Sequence, residues 1–122
     1  MKTDYIIMCG GEGIRLRPFT YVIPKPFLTT NNISPFDYIV KNIDLKNTNN
    51  IYVSLKYKQD LAKKIIKNKN ISKIKIVLEK NSLGTAGCLR NILKKNISDH
   101  LIIINGDIFA KFNFSEMINF HI

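Results

Sequence analysis

Acidic side chains are scarce in this sequence: nine Asp and Glu stand against 19 Lys and Arg, a formal net charge of +10 over 122 residues. Such an excess of bases raises the question of nucleic acid, but the aromatic residues are not interleaved with the lysines as a stacking platform for single strands requires. The lysines of Lys56–Lys75 and Lys94–Lys95 lie at helical or alternating spacing among Asn and Ile, which reads as solvated faces that also attract small anions. Cysteine is also rare. Cys9 and Cys88 have no metal or redox spacing, and no secretory signal opens the chain, so a reduced, cytoplasmic protein is expected. No apolar run approaches the roughly 18 residues that span a bilayer. Repeats and low-complexity linkers are absent too, leaving one domain over residues 1–122 with enough apolar residues for a core.

The apolar residues are arranged as alternating strands and helices. Asp4–Met8 reads as a buried strand, followed by a glycine-rich loop, Cys9–Thr20, and a stretch that Pro24 and Pro26 keep extended. "SPFDYIVKNIDL" (Ser34–Leu45) reads as a helix, with Ser34 as its N-cap, Pro35 at its first position, and Phe36, Ile39, Val40 and Ile43 on one face. Strands are expected at Ile51–Leu55, Lys73–Leu78 and Leu101–Ile104, and helices at Gln59–Asn68 and Gly84–Lys95. A last helix is expected to be capped by Ser115, and the chain then stops without a helix terminator, as if cut within something larger. Repeated strand–helix units with fully apolar strands predict an α/β fold, a mostly parallel, doubly wound sheet joined by right-handed crossovers. Ligands in such folds gather at the carboxyl ends of the strands. The unusual motifs lie there: the glycine loop, "EKNSLGTAG" after the third strand and "NGD" after the fourth.

The loop after the first strand does not fit two common nucleotide motifs. Leu16 stands where a dinucleotide fingerprint needs a third small residue, and no Gly-Lys-Ser/Thr completes a Walker loop. Backbone N–H groups of Gly10, Gly11 and Gly13 can still approach phosphate oxygens closely. Arg15 adds charge, and Lys25, between two prolines, is a second point charge held at low entropic cost. A plain turn, an exposed lysine and a turn-forming "NGD" are the unremarkable alternatives.

"GGEGIRLRPFT" (Gly10–Thr20), "PKP" (Pro24–Pro26), "LGTAG" (Leu83–Gly87) and "NGD" (Asn105–Asp107), in this order, resemble the sugar-phosphate nucleotidyltransferases over essentially the whole chain. The resemblance implies a Rossmann-like domain that uses Mg²⁺ to join an NTP and a sugar 1-phosphate into an NDP-sugar with release of pyrophosphate. On that pattern Cys9, Gly10, Gly11 and Gly13 hold the triphosphate. Arg15 neutralises the leaving pyrophosphate, Lys25 stabilises charge at the reacting phosphates and Asp107 ligates Mg²⁺. Leu83, Gly84, Thr85 and Gly87 present backbone and a close surface to the base.

Glu79 stands where relatives specific for uridine or thymidine nucleotides carry glutamine. An ionised carboxylate only accepts, which suits the two adjacent donors of guanine, so GTP is the favoured substrate; the other reading of Glu79 is an acid that ends a strand in solvent. The motifs are similar to those of mannose and heptose 1-phosphate guanylyltransferases, and the tail to domains that travel with CBS pairs. Two departures stand out. Ile14 replaces a usual threonine, and "PFLTT" lacks a later proline. Family members place a second metal-binding Asp and most sugar contacts beyond the segment matched here, so the chain alone is expected to turn over poorly. The competing expectation is a non-catalytic nucleotide-sugar sensor or regulatory subunit; self-association stays open.

Overall fold

A computed structural model of the chain describes residues 2–81, 84, 86–95 and 97–122. Four parallel strands, β1 (Thr3–Met8), β2 (Thr48–Leu55), β3 (Ile74–Leu78) and β4 (His100–Asn105), form one sheet in the order β3-β2-β1-β4. The connecting helices are α1 (Pro35–Lys41), α2 (Gln59–Asn68) and α3 (Gly87–Ile92); α4 (Phe114–His121) follows β4. The chain steps outward from β1 to β2 to β3, then crosses back to place β4 on the other side of β1. This reversal puts the helices on both faces, because right-handed crossovers running in opposite directions must pass on opposite sides of the sheet.

Side-chain alternation agrees. Tyr5, Ile7, Ile51, Val53, Leu55 and Ile104 point into the main core with Phe36 and Ile39 of α1 and Ala62 and Ile66 of α2. Ile6 and Tyr52, the out-of-phase residues, meet Ile92 of α3 on the other face. Buried apolar surface of this kind, at about 25 cal/mol per Å², holds the sheet between its helices. At the amino end Asp4 is fully buried, and its carboxylate accepts from the Asn50 and Ser98 backbone N–H groups at 2.7 and 2.6 Å, tying β1 to its neighbours. It therefore lies far from the edge where ligands gather.

Local signals set the helix starts. Ser34 caps α1: its hydroxyl accepts from the Asp37 N–H, and the Asp37 carboxylate accepts from the Ser34 N–H, both at 3.1 Å, while Pro35 opens the helix. Burial works against the Asp37 charge, but hydrogen bonds from Lys69 and Ser34 prevail and hold its pKa below the usual carboxylate value. The stability that this shift contributes is present above an unfolded pKa of about 3.9 and is lost as pH falls through the lower folded value. Ser34→Ala should cost about 1 kcal/mol in urea unfolding; an unchanged midpoint would show that the cap is idle.

Several expectations need correction. α1 ends at Lys41 rather than Leu45, the expected helix over 84–95 is regular only over α3, and β2 starts at Thr48. Asn113, not Ser115, caps α4, accepting from the Glu116 N–H at 3.1 Å. Pro24 is extended as expected, but Lys25–Phe27 forms a 3-10 turn, since the fixed φ of Pro26 suits the start of a helical turn. Some basic residues are structural rather than solvated: Lys69 pairs with Asp37, and Lys73 donates to the Thr48 carbonyl at 2.5 Å. Among the described residues no helix is long and apolar enough to cross a membrane.

Candidate functional site

At the carboxyl end of the sheet, backbone pairing continues one residue past β1, β3 and β4. The Cys9 N–H donates to the Ser54 carbonyl at 2.9 Å, Glu79 to Leu55 at 2.8 Å and Gly106 to Met8 at 2.8 Å. These bonds bring the glycine loop, the segment after β3 and the "NGD" turn to one edge. Between β1 and β4 the strand order reverses, and a cleft of about 860 Å³ opens there. This is where the topology of a doubly wound sheet predicts a ligand crevice.

The glycine loop forms one wall. Gly13 sits in the left-handed region (φ 62°), where a side chain would be strained and a Cβ would come within 2.7 Å of the Thr20 methyl. The turn it starts, Ile14–Leu16, carries Arg15 onto the cleft wall, and Arg15 makes no ion pair among the described residues. Arg17 is committed elsewhere: it pairs with Glu12 at 3.4 Å and stacks on Tyr21. The backbone N–H groups of Gly10, Gly11 and Gly13 have no hydrogen-bond partner among the described residues. Unpaired backbone donors on glycines, which have no Cβ in the way, are a concavity for anions.

Lys25 and Asp107, far apart in sequence, meet across the cleft: Nζ lies 3.1 Å from Oδ2, both side chains partly exposed. Lys25 is fixed from behind by the buried Pro26 and Phe27. Glu79 is a cleft residue rather than a solvated strand end, and its carboxylate occupies the space that a Cβ on Gly10 would fill. Gly84 (φ 81°) also lines the cleft. Gly87 does not; it starts α3, and its N–H donates to the Gly84 carbonyl at 3.1 Å. Leu83 and Thr85 lie outside the described residues.

Neither thiol is a candidate nucleophile. Cys9 contributes backbone to the wall, but its side chain is buried, and burial, then the nearby Asp107 charge, push its pKa far up. Cys88 is raised as well, first by burial. A protonated, enclosed thiol is inert.

Sequence reasoning missed four residues of this edge. Lys56, Tyr57 and Lys58, directly after β2, line the cleft, and the buried Thr20 braces the glycine loop from below. "LKYK" could have been flagged by the rule used for the other motifs, since it too follows the carboxyl end of a strand. Thr20 had no such signal.

The profile of the Nucleotidyl transferase family matches residues 4–122. The chain belongs to the sugar-phosphate nucleotidyltransferases. The mannose-1-phosphate guanylyltransferase catalytic subunit beta of Xenopus tropicalis is 34% identical to it, over 95% of this chain and 34% of that protein. The D-glycero-alpha-D-manno-heptose 1-phosphate guanylyltransferase of Campylobacter jejuni is 30% identical, over 92% of this chain and 51% of that one. HddC from Yersinia pseudotuberculosis superposes with a TM-score of 0.78 at 30% identity, covering 98% of this chain and 54% of HddC; its complex with GMP-PN gives 0.79. This nucleotidyltransferase chain thus spans about a third to a half of the length of these relatives.

Proposed function

We propose that the chain forms the nucleotide-binding half of a sugar-1-phosphate nucleotidyltransferase, with GTP as the favoured nucleotide. The observation that carries the reading is the meeting, at the switch point, of unpaired glycine-loop N–H groups with the Lys25–Asp107 pair. Relatives named as mannose and heptose 1-phosphate guanylyltransferases support it. The regulatory alternative draws no support from relatives whose names describe transfer.

In the proposed reaction an oxygen of the sugar 1-phosphate attacks the α-phosphorus of the NTP, and the bond to the bridging oxygen breaks to release pyrophosphate. Such transfer depends on positioning and charge neutralisation rather than on a protein nucleophile, in keeping with two buried thiols. The Gly10, Gly11 and Gly13 N–H groups bind phosphate oxygens, Arg15 offsets charge on the leaving pyrophosphate, and Lys25 offsets charge at the reacting phosphates.

The donor set suits Mg²⁺. Among the described residues no three His, Cys, Asp or Glu gather into a ligand cluster, and Asp107 stands as a single carboxylate on the cleft wall. Mg²⁺ retains several waters and takes one or two carboxylates plus substrate phosphates, so Asp107 would hold it. When bound it would supply charge neutralisation at the phosphates.

The test is calorimetric titration of the chain with GTP, dTTP, UTP, CTP and ATP in Mg²⁺, repeated on Glu79→Gln. GTP should bind at least tenfold more tightly than the others, and the substitution should cost GTP about tenfold, because glutamine's amide opposes one guanine donor. Equal binding of all five would refute the base assignment, and binding of none would refute the nucleotide site.

A further inference from the structure

We propose that Tyr57 is a positioning residue for the phosphate loop, acting through Thr20. Its hydroxyl donates to the Thr20 carbonyl at 2.7 Å. The Thr20 hydroxyl in turn donates to the Gly13 carbonyl, also at 2.7 Å. That carbonyl accepts a second bond, from the Leu16 N–H at 3.0 Å, which closes the turn bearing Arg15. Thr20 is fully buried, and its methyl group and the Lys25 Cβ both lie close to where a Cβ on Gly13 would stand, so the loop is closely packed at Gly13. A relay therefore runs from the segment after β2, through Thr20, to the loop whose glycines line the cleft.

The relay matters because of what it restrains. The outer part of the loop exposes Ile14, Phe19, Tyr21 and Val22, which contribute little packing to hold it. Three glycines add conformational freedom that phosphate binding would otherwise have to remove. Two short hydrogen bonds, one of them from a fully buried hydroxyl, hold Gly13 at its left-handed angle before any anion arrives. The Tyr57 hydroxyl lends phosphate affinity without itself having to touch phosphate.

This assignment rests on the nucleotide reading of the cleft, so its test uses two probes, GTP and inorganic tripolyphosphate, the second independent of the base. Tyr57→Phe removes one oxygen from a partly exposed residue. It should weaken both probes about fivefold to tenfold, leave the melting temperature nearly unchanged, and speed amide exchange at residues 13–20 but not in β1. Thr20→Ser, which keeps the hydroxyl, should retain more affinity than Thr20→Val. A purely structural role would lower the melting temperature and leave the affinity of the folded fraction intact; that result overturns the assignment. So does wild-type binding that Tyr57→Phe leaves unchanged, and in that case the nucleotide reading stands. If the wild type binds neither probe, the nucleotide reading falls and this assignment falls with it.

Discussion

Gly106→Ala is expected to destabilise the protein by about 3 kcal/mol, at the upper end of what overpacking a tight site usually costs. A Cβ at this position would lie 2.3 Å from the Cys9 sulfur, 3.0 Å from the Met8 carbonyl oxygen and 3.2 Å from the Ile7 Cγ2. None of the three can yield easily. Cys9 is 1% exposed, Ile7 is in the main core, and the Met8 carbonyl accepts from the Gly106 N–H itself. Gly106 is not at positive φ, so the penalty comes from contact rather than torsion. Gly11 is the control: a Cβ there meets no atom of the described residues within 4 Å and its φ is not positive, so Gly11→Ala should stay within about 0.5 kcal/mol. Urea unfolding of the two variants and the wild type checks the difference. Equal midpoints for the two would show that β1 and β4 do not approach as described. Against a typical total stability of about 5–15 kcal/mol, the expected loss is a large share of the whole.

That contrast also marks what the sequence could and could not reveal. Both glycines sit in motifs that stood out on inspection, yet only the pairing of β1 with β4 distinguishes them, and that pairing joins residues almost a hundred positions apart. Local features were legible because their causes are local. The α2 bounds follow from apolar periodicity, and the α1 cap from Ser34 and Pro35. The rule that ligands gather at carboxyl ends of strands placed Gly10, Gly11, Gly13, Arg15, Glu79, Gly84 and Asp107 around one cleft, and Lys25, singled out by its two flanking prolines, lines it too. Strand order was not legible, since short apolar strands such as "LIII" carry no label for their neighbours. Nor was the Tyr57–Thr20 hydrogen bond, which depends on how two loops are brought together by the sheet. The Ser115 cap failed for a different reason: Asn113 competes two residues earlier with a side chain of equal capping strength.

Asp107→Ala should change the sign of its effect with the metal. Without Mg²⁺, the Asp107 carboxylate competes with phosphate for Lys25, 3.1 Å away, and repels an incoming triphosphate. Removing it should then tighten GTP binding, by no more than about fivefold, because both side chains are more than a third exposed and solvent screens the pair. With Mg²⁺ present the same carboxylate is the proposed ligand, and its loss should weaken GTP on the order of a hundredfold, since a divalent cation on phosphate oxygens is worth several kcal/mol. Lys25→Ala should weaken GTP in both buffers, as a cation that attracts phosphate whether or not metal is bound. The measurement is a pair of titrations for each variant, in EDTA and in Mg²⁺. Asp107→Ala that weakens binding equally in both would mean that the residue only shapes the "NGD" turn. Tightening in both would make it a simple counter-ion to Lys25. A crossover is the outcome that a metal ligand paired to a phosphate-binding lysine must give.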